Sequence, residues 1–114
     1  MPVVNIVIPV LPGKEDVARS FARDVAGPRA AEFAEFQSAG GKTTRETWHL
    51  AGTPNGALLS VWIEAENPEA GFEHLATSTG FGEWFRAQIL DFTGIDMSQP
   101  DGGPQTEQLL DWNA

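Results

Sequence analysis

An imidazole, an indole, a carboxylate and a guanidinium fall at alternate positions of two neighbouring segments of this 114-residue chain. Arg45, Thr47 and His49 alternate through residues 43–51 (TTRETWHLA). Ser60, Trp62 and Glu64 alternate through residues 57–65 (ALLSVWIEA). In a β-strand, side chains two apart share a face, so two such strands side by side can gather all six on one surface. A histidine with a carboxylate neighbour can shuttle a proton near neutral pH, and a tryptophan can stack a planar substrate. His49 and Glu64 are therefore the catalytic candidates, and Arg45, Trp62 and Ser60 the ligand-binding ones. The same pattern also fits a polar strand face at a dimer interface, with Arg45 and Glu64 paired across the strands. By hydrophobicity, Trp48 and Leu50 take the opposite, helix-facing side.

Other chemistry-bearing residues point less far. His74 lies between the apolar Phe72 and Leu75 and reads as a solvated helix residue. Two isolated histidines with no carboxylate pair at ligand spacing make no metal site, and there is no cysteine to supply thiolates. Glu15 and Asp16 are adjacent and so do not face each other on a helix; acids there suit a positive helix end. Gly80-Phe81-Gly82 and Asp101-Gly102-Gly103 lack the following lysine of a phosphate loop. Trp48, Trp62, Trp84 and Trp112, with the seven phenylalanines, read as core and interface.

The elements that must position these residues follow from periodicity. Residues 3–11 (VVNIVIPVL) are rich in β-branched side chains on both alternating sets and predict a strand covered on both faces. After Pro12-Gly13, residues 14–26 place Val17, Phe21 and Val25 at helical spacing. Gly27-Pro28 interrupts, and a second helical piece follows that is expected to turn Ala30, Phe33 and Ala34 inward before Gly40-Gly41 ends it. Residues 43–51 and 57–65 form a hairpin around the turn-rich residues 52–56 (GTPNG), with Ala57, Leu59, Val61, Ile63 and Ala65 beneath helices. Asn67-Pro68-Glu69 starts the next helix as cap, first-turn proline and first-turn acid. Phe81, Phe85, Ile89 and Phe92 stripe a further helical stretch that Gly94 closes. Residues 97–105 form a polar loop, and residues 106–112 (TEQLLDW) a short last strand or a terminal helical turn.

The bulk numbers limit the partners. Seven Lys and Arg against 16 Asp and Glu give a net charge of -9, which repels nucleic acid and anionic membrane surfaces. Residues 3–11, broken by Asn5 and Pro9, fall far short of the ~20 apolar residues that span a bilayer. They also lack the flanks of a secretory signal. A soluble, cytoplasmic, single-domain protein over residues 1–114 is expected.

The order strand, helix, strand, strand, helix, strand is the ferredoxin-like β-α-β-β-α-β pattern: an α+β fold with a four-stranded antiparallel sheet and helices on one face. Val10-Leu11-Pro12-Gly13-Lys14, the hairpin, Ala65-Glu66-Asn67-Pro68-Glu69 and Phe81-Gly82-Glu83-Trp84-Phe85 resemble the dimeric α+β barrel superfamily, in which two such sheets face each other around a lumen. Within it the chain is most similar to small bacterial members without an assigned role. The superfamily also includes cofactor-independent monooxygenases, haem-degrading monooxygenases, muconolactone isomerases, chlorite dismutases and dye-decolourising peroxidases. Haem is not carried over. His74 sits about where the haem-degrading relatives have Trp, Trp84 about where they have His, and Asn5 is one residue out of phase, which sends its side chain to the other face. The second face of the sheet, with Leu58 and Trp62 among polar side chains, predicts a homodimer in which that face is covered. No cofactor is expected, and an apolar or aromatic compound in the sheet-face lumen would undergo cofactor-independent oxygenation or isomerisation. The opposing expectation is a non-enzymatic homodimeric interaction module whose sheet interface is filled by its own side chains.

Overall fold

The hairpin with alternating hydrophobicity forms as expected, as β2 (Thr43–Thr53) and β3 (Gly56–Ala65). Pro54 and Asn55 make its loop. Thr53 Oγ1 donates to Gly56 O at 2.6 Å, and Gly56 adopts φ +118°, a conformation that suits a residue without a Cβ. β1 (Val3–Pro9) pairs antiparallel with the other edge of β3, so the sheet order is β1-β3-β2. The computed structural model describes residues 1–99 and 105–114. Within it the expected four-stranded sheet has three strands. Residues 106–112 form neither a strand nor a helical turn, and they lie exposed. Their composition explains this: Thr106 is the one β-branched residue, among acids and glutamine that strands disfavour. Asp101, Gly102 and Gly103 lie outside the described residues.

Helices cover one face of the sheet. They are α1 (Glu15–Ala26), α2 (Ala30–Ala39), α3 (Pro68–Thr77) and α4 (Phe81–Thr93). Ala57, Leu59, Val61 and Ala65 of β3 are buried beneath them, together with Ile8, Val25, Leu75 and Ile89. Phe21 is the hub of the core: its ring centroid lies 4.9 Å from that of Phe85 and 5.2 Å from that of Trp48. Such offset and edge contacts add to the area each ring removes from water. α2 departs from expectation. Ala30 and Ala34 are exposed, and Phe33, Phe36 and Gln37 turn inward at i, i+3 and i+4. In an alanine-rich helix the two large rings decide which face is buried, because each removes far more apolar surface than an alanine.

The helix starts read from sequence are present. Asn67 Oδ1 accepts from Ala70 N–H at 3.1 Å with Pro68 at the first position, and Gly94 closes α4 in the left-handed region at φ +75°. Lys14 of the α1 cap reaches Asp91 of α4 at 2.9 Å. Arg29 lies 4.0 Å from the centroid of the Trp84 ring, holding the start of α2 on α4. Backbone meets backbone where Gly41 crosses α3: a Cβ added at Gly41 would stand 2.6 Å from Asn67 O and 3.2 Å from Gly71 Cα.

Two substitutions probe these contacts. Val61→Asp places an unpaired charge in the core and should abolish cooperative unfolding, costing more than ~4 kcal/mol. Soluble, cooperatively unfolding Val61→Asp protein would reverse the assignment of the two sheet faces. Gly41→Ala should lower the melting temperature by several degrees, as measured by circular dichroism, because the loop must withdraw from α3.

Candidate functional site

Strand register places all five candidates from the sequence on the uncovered face. Arg45 pairs with Glu64, Thr47 with Trp62, and His49 with Ser60, while β1 adds Val3, Asn5 and Val7 opposite Glu64, Trp62 and Ser60. Asn5 therefore lies on the uncovered face and not the opposite one, and β1, expected to be covered on both faces, is covered on one. A bulge between Thr43 and Arg45 sets this parity: Thr43 faces the helices and Arg45, two residues on, faces away. Arg45 lies over the Trp62 ring at 5.7 Å from its centroid. Glu64 Oε1 accepts from the Thr44 hydroxyl at 3.0 Å. Arg45, Trp62 and Glu64 therefore form one group. His49 stands four residue pairs from Glu64, about 13 Å along the strands at ~3.3 Å per residue, and shares its end of the sheet with Ser60. The two proposed proton-transfer groups are on one face but not within reach of each other.

The covered face holds a different constellation. Glu46 alternates with Trp48 and Leu50 and so turns beneath the helices, into a cavity of about 90 Å³ whose walls include Phe33, Phe36, Ile63, Phe72 and Leu75. Its two carboxylate oxygens are both engaged. Oε1 accepts from Gln37 Nε2 at 2.9 Å, and Oε2 accepts from Trp48 Nε1 at 2.6 Å. Burial disfavours the charged form and pushes the Glu46 carboxyl above the usual range, while the hydrogen bonds from Gln37 and Trp48 pull the other way and only partly offset it. A carboxyl raised in this way inside an apolar pocket holds a proton more readily than a free one and can take a proton from a bound molecule and give it back.

Sequence reasoning missed Glu46. In isolation a glutamate between Arg45 and Thr47 reads as strand surface. The signal was nevertheless present: a residue two before Trp48 and four before Leu50 must share their face, and those two had been assigned beneath the helices by hydrophobicity.

A second, larger space adjoins the cavity. A cleft of about 560 Å³ runs between the edge of β1, α3 and residues 97–99, and it shares Ile6, Phe72 and Met97 with the cavity wall. His74, expected to be solvated, is half-buried, its ring 4.9 Å from that of Phe36 and outside both spaces. Among the described residues no three His, Asp or Glu side chains are grouped to hold a metal ion, and no helix is long and apolar enough to cross a membrane. Compared with protein-family models, curated proteins and solved structures, the chain matches none.

The displaced Glu46 carboxyl makes stability depend on pH in a defined direction. Its native value lies above its unfolded one, so the group favours the folded state while protonated. That contribution is fully present below about pH 4.3, the ordinary glutamate value, and is lost as pH rises through the raised native value. Glu46→Gln removes the titration and can keep both hydrogen bonds if Gln37 turns its amide to accept. Denaturant unfolding from pH 4 to pH 8 should show the parent losing stability relative to Glu46→Gln across that window. Parallel curves would mean that the carboxyl is not held in a desolvating site.

Proposed function

We propose that the protein binds a small apolar or aromatic compound between its sheet and its helices and moves a proton on it, with Glu46 as the group that takes and returns the proton. The observation that carries this reading is a desolvated carboxyl lining an aromatic cavity, held by Gln37 and Trp48. The cavity has room for a few heavy atoms. The adjoining cleft has room for the rest of a larger molecule, so the reacting end would sit beside Glu46 and the body among Ile6, Phe72 and Met97. Removing a proton at one carbon and returning it at another is an isomerisation that needs no redox partner. An oxygenation of the same compound would begin with the same proton removal and would need dioxygen as co-reactant.

The uncovered sheet face favours a second reading beside the first. Val3 and Val7 are exposed, and Leu58 and Trp62 are half-buried, on a face that no helix covers. An apolar surface of this kind is covered most simply by its own copy across a twofold axis, giving a homodimer with sheet against sheet as in the dimeric α+β barrels. Arg45, His49, Ser60, Trp62 and Glu64 would then face the partner. They would either fill the interface, as in a non-enzymatic module, or line a lumen between the sheets. The net charge of -9 opposes association, but salt screens it beyond ~8 Å.

Indole and a benzisoxazole serve as probes of the first reading, the latter because its ring opens once a base removes its carbon-bound proton. Indole should shift the Trp48 indole N–H resonance saturably, and Ile63→Phe, which fills the cavity, should abolish the shift. The parent should accelerate the ring opening, and Glu46→Gln should lose at least ~100-fold of that rate while still binding indole. An unmoved Trp48 resonance at millimolar indole would remove the proposed site. Indole binding combined with an equal ring-opening rate in Glu46→Gln would leave a binding protein without the proposed base.

A further inference from the structure

Among the described residues β1 has one strand neighbour, and no strand pairs with its other edge. Ala65 N–H donates to Pro2 O and Val10 N–H donates to Ala57 O, so the even-numbered residues turn their backbone groups toward β3. Val3, Asn5 and Val7 then aim theirs outward. Such an edge is a template for another strand. Thr106 reaches it, its hydroxyl donating to Asn5 O at 2.5 Å.

Beyond Thr106 the chain carries Leu109, Leu110 and Trp112, exposed to 86%, 80% and 74%, the most exposed large hydrophobic residues among those described. Three such side chains within four residues call for a partner surface. This chain's own β1 does not offer one in the antiparallel sense that the whole sheet uses. Counting from Thr106 opposite Asn5, Gln108 would stand opposite Val3, the first residue of β1, and Leu109 onward would run past the end of the strand.

We propose that residues 106–112 of one copy continue onto the sheet of a second copy, laying Leu109, Leu110 and Trp112 along its β1 edge and its exposed Val3 and Val7, and that the exchange is reciprocal. The inference rests on the reading of the chain as a sheet-to-sheet homodimer, to which it adds the segment that locks the pair. Val3 and Val7, 48% and 38% exposed, supply apolar surface on the receiving copy. On the same face Arg45 stands opposite the one acid of the three strands there, Glu64, so a segment bearing Glu107 and Asp111 meets no excess of negative charge and finds a guanidinium and the imidazole of His49 as hydrogen-bond partners.

The test compares the parent with a chain ending at Gln105, with the full-length triple variant Leu109→Ser, Leu110→Ser, Trp112→Ser, and with Trp62→Glu. Light scattering from ~1 to ~100 µM gives mass, and amide exchange gives the protection of Val3, Asn5 and Val7. The parent should be a dimer with those amides protected. Both tail variants should weaken the dimer at least ~100-fold and expose the amides. Their melting temperatures as monomers should stay within a few degrees of the Trp62→Glu monomer, because the segment's large apolar side chains, Leu109, Leu110 and Trp112, are exposed in the single chain and its one side-chain bond to β1 is that of Thr106 to Asn5 O. A synthetic peptide of residues 105–114 should restore protection to the shortened chain. Tail variants that dimerise as tightly as the parent, while Trp62→Glu does not, would overturn the exchange and leave the sheet-to-sheet dimer standing. A parent monomeric at ~100 µM would remove both, and one that is also protected at those amides would place the segment on its own sheet.

Discussion

Everything in this molecule follows from a three-stranded sheet covered by helices on one face only. β3 lies at its centre, and each residue along it must serve either the core or the uncovered side, because successive side chains point opposite ways. Leu59 and Val61 go to the core, Ser60 and Trp62 to the other side, and the flanking strands follow in register. The bulge at the start of β2 keeps that division intact where the chain enters from α2. It turns Thr43 toward the cavity and lets Arg45 join Trp62. Two chemically distinct surfaces result, one dry and aromatic, the other polar with scattered apolar side chains.

Glu46 is the point at which the dry surface departs from what stability alone would select. A methionine or leucine at that position would fill space among Phe33, Phe36 and Trp48 without desolvating a charge. The carboxyl is retained in a setting that engages both of its oxygens yet still disfavours its ionised form. Buried groups whose environment opposes their charge concentrate where proteins do chemistry. The cavity is small because the rings of α2 and α4 close around it, and the cleft at the β1 edge gives it a larger neighbour.

Most of the fold was legible in the sequence because strong, local signals agreed with one another. The β3 pattern, the Asn67-Pro68 helix start, the Phe81 to Phe92 stripe and the Gly94 stop each appear where the residues put them. Two errors share a cause. Spacing alone points Ala30 and Ala34 inward, and residues 106–112 read as a short last strand, which the fold order asks for, or a terminal helical turn. In both cases it is the large side chains, Phe33 and Phe36 in α2 and Leu109, Leu110 and Trp112 near the end, that matter, and what they meet is set by surfaces distant in sequence. For the site, alternation did place Arg45, His49, Ser60, Trp62 and Glu64 together on one face. What alternation cannot give is distance along the strands, which register alone supplies and which parts His49 from Glu64. Glu46 was hidden for the opposite reason: its residue type argued for solvent while its parity argued for the core.

The pairing of β1 with β3 has a consequence for how the chain acquires its structure. The two strands are separated by the whole of α1, α2 and β2, whereas β2 and β3 are joined by a two-residue loop. Local contacts form quickly and distant ones late, so the hairpin can be in place while the β1 segment still waits for its neighbour. During ribosomal synthesis that wait lasts until β3 has emerged, and throughout it a run of valine and isoleucine is open to the wrong company. Pro9 interrupts that run, and because it has no backbone N–H to donate, it disfavours continuous cross-β pairing through the segment.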